Sequence, residues 1–264
     1  MIEFLARMGF LVKGALYMII GTLALQAASG FGGKLTGTNG ALITVLLQPF
    51  GHVMLLIAAV GLFGYAMWRV LQGVFDPDHL GTEWKSAALR ASYVGRGLLH
   101  ALFGFQAVRV YRGIPTSESG ERKIAAEAFR WPLGDWVVVL AGLGLIAFGV
   151  QQMYAALTCR LEPNLKVNSL RQESGEWAVS ISRFGVGARA VVFIMFGWFV
   201  VHAGWLRDSS EVPTAPVLMR ILAAQPGGLG HWTLGVMATG LIAYGFYQIV
   251  HAGYLRIRPA VSNV

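Results

Sequence analysis

The chain has a single cysteine, Cys159, among its 264 residues. A lone thiol excludes a disulfide within the chain and leaves no thiolate metal cluster. Charge is scarce as well: 13% of residues are Asp, Glu, Lys or Arg, where soluble domains carry roughly a quarter. No Asp or Glu falls in the central part of any long apolar run, and Asp135 stands only at the entrance to one. Proton-coupled carriers commonly place carboxylates at mid-membrane, which disfavours that class. HExxH, GxSxG and Walker patterns are missing, and without a convergent acid–base set the expectation is a protein that is not an enzyme. The net charge of +8 is spread over loop flanks without aromatic stacking motifs, so nucleic acid is not the expected partner.

What is present is apolar. Hydrophobic residues make up 55% of the chain and the mean hydropathy is +0.58. Runs of about 20 residues recur, the length a helix needs to cross roughly 30 Å of hydrocarbon. The predicted spans are 9–29, 51–74, 91–111, 134–158, 187–206 and 231–255. The first follows Met1 closely and lacks a small-residue cleavage site, which reads as a retained helix and not a signal peptide.

An internal repeat organises these spans. A displacement of 83 carries Arg7 onto Arg90, Lys13 onto Arg96, Gly14 onto Gly97, Gly21 onto Gly104, Pro49 onto Pro132 and Gly51 onto Gly134. A further 93 in the first helix reaches Arg183, Arg189 and Gly197; in the second helix, a further 96 lays GLIAFG (144–149) on GLIAYG (240–245). Three tandem units result: 1–80, 81–166 and 167–264. Each opens with an Arg-x5-Lys/Arg helix, followed by a polar, glycine-rich loop. A short amphipathic stretch comes next, GALITVLL, RKIAAEAF or PVLMRILAA, and ends at Pro49, Pro132 or Pro226, as proline should at a helix boundary. The second spanning helix runs on to Asp76-Pro77, Glu162-Pro163 or Arg258-Pro259. Two crossings per unit make the repeats parallel, not inverted. The expected fold is an all-α integral membrane protein: six transmembrane helices in a pseudo-threefold bundle, with short interfacial helices.

The thrice-repeated R-x5-[KR]-[GA]-x6-G helix, with P-x-G and G-L-x-x-[FY]-G spans, resembles a bacterial membrane family known as domain of unknown function 1206. The first unit departs with Gly61-Leu-Phe-Gly64, and the third has Ala190 where Gly14 and Gly97 stand. The resemblance implies helix pairs, three to a protein, and no reaction.

Of the 21 Lys and Arg residues, 13 lie on the side of the two termini and eight on the other. Both termini are therefore expected in the cytoplasm, with the protein in a bacterial inner membrane. Trp131, Trp136 and Trp232 then mark the outer interface, and Trp84 and Trp177 the inner. The 34 glycines are about twice the usual share; Gly14 and Gly21, like Gly97 and Gly104, lie two turns apart on one helix face and offer close packing.

The candidate lipid- or anion-binding residues are basic. Lys13, Arg96 and Arg189 share one repeat position, a few residues inside the inner boundary. Arg7, Arg90 and Arg183 precede them by six. Arg69, matched by Gln152 and Gln248, lies near the inner end of the second helix. Long basic stems can snorkel to phosphate headgroups and set helix depth, or form a ring that holds an anionic lipid or substrate. Histidine can ligate haem or chlorophyll. His52, His202 and His231 are the set near one outer level. His100 aligns with Tyr17 and Phe193, so it lies outside the common plan as a polar-core or tetrapyrrole candidate. The function that fits best is a non-catalytic accessory or structural subunit, with membrane lipids and other membrane proteins as partners. A small transporter or channel for an anionic solute, and a haem- or chlorophyll-associated subunit, are the alternatives.

Overall fold

The computed structural model describes residues 2–76, 81, 83–114, 120–158, 167–226 and 228–254; the secondary structure among them is all helical, joined by short loops. The elements are α1 (Ile2–Ala28), α2 (Thr38–Leu46), α3 (Gly51–Phe75), α4 (Trp84–Tyr111), α5 (Gly120–Ala128), α6 (Gly134–Leu157), α7 (Val167–Leu206), a 3-10 turn (Ser209–Glu211), α8 (Ala215–Ala223) and α9 (Leu229–Tyr254). Long, short, long recurs three times, and the short helices fall on the three amphipathic stretches. Cys159, Pro77, Glu162-Pro163 and Arg258-Pro259 lie outside the described residues.

Five helical segments are long and apolar enough to cross a bilayer: Arg7–Ala28, Gly51–Phe75, Gly134–Leu157, Glu176–Leu206 and Leu229–Gly253. They mark a membrane-embedded protein. The third expected span forms as α4, but Lys85, Arg90, Arg96 and Arg109 hold its hydropathy below that of the other five. Large apolar side chains such as Leu98, Leu140 and Trp205 face outward, where hydrocarbon can cover them.

The P-x-G signal has a backbone cause. Phe50 and Leu133 take φ of 62° and 63°, and Gly228 follows at 77°. This left-handed residue turns the chain from the short helix into the next long one. The glycines after it, Gly51, Gly134 and Gly230, press on the carbonyl oxygens of Leu46, Ala128 and Ala223, where a Cβ would collide.

Each second helix packs on the first helix of the following unit: α3 on α4, α6 on α7 and, returning to the first unit, α9 on α1. The same small residues meet each time. A Cβ on Gly14 would lie 2.8 Å from the Gly245 carbonyl oxygen, one on Gly97 2.8 Å from that of Ala66, and one on Gly149 2.9 Å from that of Ala190. Gly21 and Gly104 lie in the same interfaces, against Ile242 and Phe63, so the expected glycine faces are helix–helix contacts. Within units, α1 packs on α3 and α7 on α9, but α4 and α6 do not pair in this way. Of the short helices, α2 and α8 each bury several side chains, and α5 buries only Ala125. Ala41 and Leu42 of α2 are wholly buried, against α1, α3 and α4. Helix α8 packs on α7 and α9, and α5 on α6 and the 3-10 turn, where Arg122 Nε donates to the Val212 carbonyl at 2.9 Å.

Candidate functional site

The three cations at the shared repeat position point into the bundle. Lys13 and Arg189 are each only 8% exposed, and Arg96 is half-buried. Their partners are aromatic rings at a second shared position, Tyr65, Phe148 and Tyr244. The Lys13 ammonium lies 5.1 Å from the Tyr65 ring centre and 5.9 Å from that of Tyr244. The Arg189 guanidinium lies 4.6 Å from Tyr244 and 5.6 Å from Phe148. Arg96 lies 5.1 Å from Phe148 on its other side. Cations and rings thus alternate: Tyr65, Lys13, Tyr244, Arg189, Phe148, Arg96. Beside Arg96, His100 rests on Tyr65 with ring centres 4.4 Å apart.

Attraction to ring faces compensates part of what burying a cation costs. Arg189 gains more, since Nε donates to the Tyr17 hydroxyl at 3.3 Å and Phe193 covers it at 4.5 Å. These partners are neutral. Away from the span ends, where Asp135 and Glu176 stand, the spanning stretches contain no Asp or Glu, so these like charges are gathered within strongly apolar segments.

A second tier orients the rings. Arg69 Nε donates to the Tyr65 hydroxyl at 3.0 Å and its Nη1 to Gln72 Oε1 at 3.0 Å. Gln248 Nε2 donates to the Tyr244 hydroxyl at 2.8 Å. In the second unit the same position is Gln152, but Phe148 offers no hydroxyl. Arg69 and Gln248 are buried, as is His251 between Phe10 and Tyr247.

The outer members of the expected basic set do other work. Arg90 donates from Nε to the Gly73 carbonyl at 2.9 Å and from Nη2 to that of Val74 at 2.8 Å. Arg183 repeats this on Ala156 at 2.7 Å and Leu157 at 3.1 Å. Both side chains cap the last carbonyls of the neighbouring helix, where a cation also meets the negative end of the helix dipole. Arg7 holds the same repeat position and is half-buried.

The histidines have separate neighbours. His52 lies edge-on to Tyr111 at 5.7 Å, His202 Nδ1 is 3.9 Å from Glu211, and His231 is exposed at the start of α9. His100 is buried, with Nδ1 2.7 Å from the Arg96 carbonyl oxygen. Among the described residues no group of three or more His, Cys, Asp or Glu is arranged to hold a metal.

Outward from the layer, a cavity of about 130 Å³ begins at Tyr17 and is lined by Ile20, Val192, Met195, Leu218, Met237 and Leu241. It is apolar, in contrast to the layer beneath it. The part played by Tyr65, Phe148 and Tyr244 escaped sequence reasoning, although the aromatic position of G-L-x-x-[FY]-G carried the signal.

Three segments, residues 8–76, 91–158 and 184–254, match the family model described as Domain of Unknown Function (DUF1206). Among curated proteins, the chain is similar to the uncharacterized protein YxxB of Bacillus subtilis (strain 168), 26% identical over 248 residues, covering 94% of this chain and 89% of the relative. No solved structure matches.

Proposed function

The chain belongs to the DUF1206 family, and from that premise we propose that it is a non-catalytic accessory membrane protein that holds an anionic group among Lys13, Arg96 and Arg189. In this reading α4 is the sixth span, the six helices surround a pseudo-threefold axis, and the cationic layer lies in the cytoplasmic half of a bacterial inner membrane, with both termini on that side. The basic excess toward the termini supports the orientation. Other membrane proteins are its further partners, through the apolar surface it exposes.

One observation carries the proposal. Arg189 is buried against the neutral side chains of Tyr17, Phe148, Phe193 and Tyr244, and it shares Phe148 with Arg96 and Tyr244 with Lys13. Like charges brought together in low dielectric repel one another strongly. A phosphate or carboxylate in their midst converts that repulsion into attraction, through charge-assisted hydrogen bonds. Snorkelling would send these side chains to the headgroups instead. An anion-conducting pathway draws on the same cations, but the apolar cavity outward of Tyr17 offers no continuation for a hydrated ion.

Ligand-induced stabilisation tests this. Anionic phosphatidylglycerol should raise the unfolding temperature of the purified protein in neutral detergent well above the effect of zwitterionic phosphatidylcholine. Inorganic phosphate, run alongside, separates a lipid headgroup from a free anion. Arg189→Gln and Lys13→Gln should remove the anion-dependent part. An equal response in the variants and the wild type would refute the proposal.

A further inference from the structure

The circle of packed helices is open at one place, between α4 and α6. Equivalent glycines show it. Gly61 and Gly240 are buried, and a Cβ on them would meet Val12 and Ala188 of the first helix of the same unit. Gly144, their counterpart in the second unit, is exposed and faces open space. The sequence differs there too. In the first unit Gly9 lies tightly against Gly61 and Tyr65, and in the third Gly185 lies tightly against Ala243 and Tyr244. The second unit has Ser92 at the matching position, where a side chain replaces the glycine that allows so close an approach in the other two units. What reaches across is a charge: Arg96 of α4 lies 5.1 Å from the Phe148 ring of α6.

We propose that the slot between α4 and α6 is a lateral entry by which an anionic phospholipid of the surrounding bilayer brings its phosphate to Arg96, with Arg189 beyond it across Phe148. This rests on the anion-binding reading and names the ligand's source. An aqueous anion needs no opening toward hydrocarbon. A lipid does: its acyl chains stay in the bilayer while only the headgroup moves inward. The half-buried Arg96 stands at the rim, and the buried Arg189 shares Phe148 with it. Acyl chains then lie against Gly144, where the protein supplies no side chain of its own.

The test places a bimane label at Gly144→Cys in a Cys159→Ser background, in nanodiscs containing lipid brominated on its acyl chains. Brominated phosphatidylglycerol should quench the label several-fold more strongly than brominated phosphatidylcholine. Arg96→Gln should abolish the difference. A label at Val60→Cys, on the exposed side of α3, should respond to both lipids alike. Equal quenching at 144 by the two lipids overturns the lateral entry, as does shielding of that label from both, which would mean that a helix of a second copy or of a partner fills the slot. In either case, anion-dependent stabilisation that still vanishes in Arg189→Gln leaves the binding layer standing. Stabilisation unchanged in that variant removes the layer as well.

Discussion

Arg189 and Tyr17 meet across 172 positions of sequence, the guanidinium Nε donating to the phenol oxygen at 3.3 Å. The contact joins the third unit to the first and sits where the cationic layer gives way to the apolar cavity. Tyr17→Phe should therefore destabilise the protein by about 0.5–1.5 kcal/mol, the range of hydrogen bonds between helices in a bilayer. The anion response should survive, because the charge remains. Equilibrium unfolding in detergent measures the first expectation and the lipid-dependent shift the second.

The ring hydroxyls allow a reciprocal exchange. Tyr244→Phe removes the acceptor of Gln248 and should cost about 1–3 kcal/mol, since it leaves a buried amide without that partner. Phe148→Tyr supplies a hydroxyl where Gln152 stands one turn on, and should be neutral or stabilising. Loss of stability in both variants would show that the second unit does not share the arrangement of the third.

Helix capping separates from anion binding. Arg90→Gln and Arg183→Gln each abandon two helix-terminal carbonyls, and each should lower stability by about 1–2 kcal/mol. Neither should alter the preference for anionic over zwitterionic lipid. A lost preference in these variants would place the binding site at the arginines nearer the helix ends.

Glycine substitutions should respond unequally along a single helix. Gly149→Leu drives a side chain into the Ala190 backbone and should destabilise by about 1–3 kcal/mol or more, as overpacking does. Gly144→Leu, one turn and a half away, points into open space and should be tolerated or mildly stabilising, because leucine forms helix better than glycine. Similar losses at the two positions would contradict the open slot.

Much of this organisation is legible in the residues. The repeat places Lys13, Arg96 and Arg189 at one level, the prolines end α2, α5 and α8, and the spacing of Gly14 and Gly21 predicts a packing face that the α1–α9 contact uses. The direction of the cations is not legible, because it depends on partners far along the chain: Tyr244 for Lys13, and Tyr17 for Arg189. Length and hydropathy permit snorkelling and inward burial alike. The closing contact of α9 on α1 is equally remote in sequence. The break between α4 and α6 coincides with the replacement of a glycine by Ser92, a departure whose meaning is visible only once the contact made by Gly9 and Gly185 is known.

The most direct measurement is native mass spectrometry of the protein released gently from membranes that contain both phosphatidylglycerol and phosphatidylethanolamine. The account predicts an anionic lipid retained on the wild-type chain, and lost from a folded Lys13→Gln/Arg96→Gln/Arg189→Gln variant that keeps the caps at Arg90 and Arg183. Equal retention by the variant, or a wild type that holds no preference for the anionic lipid, would contradict it.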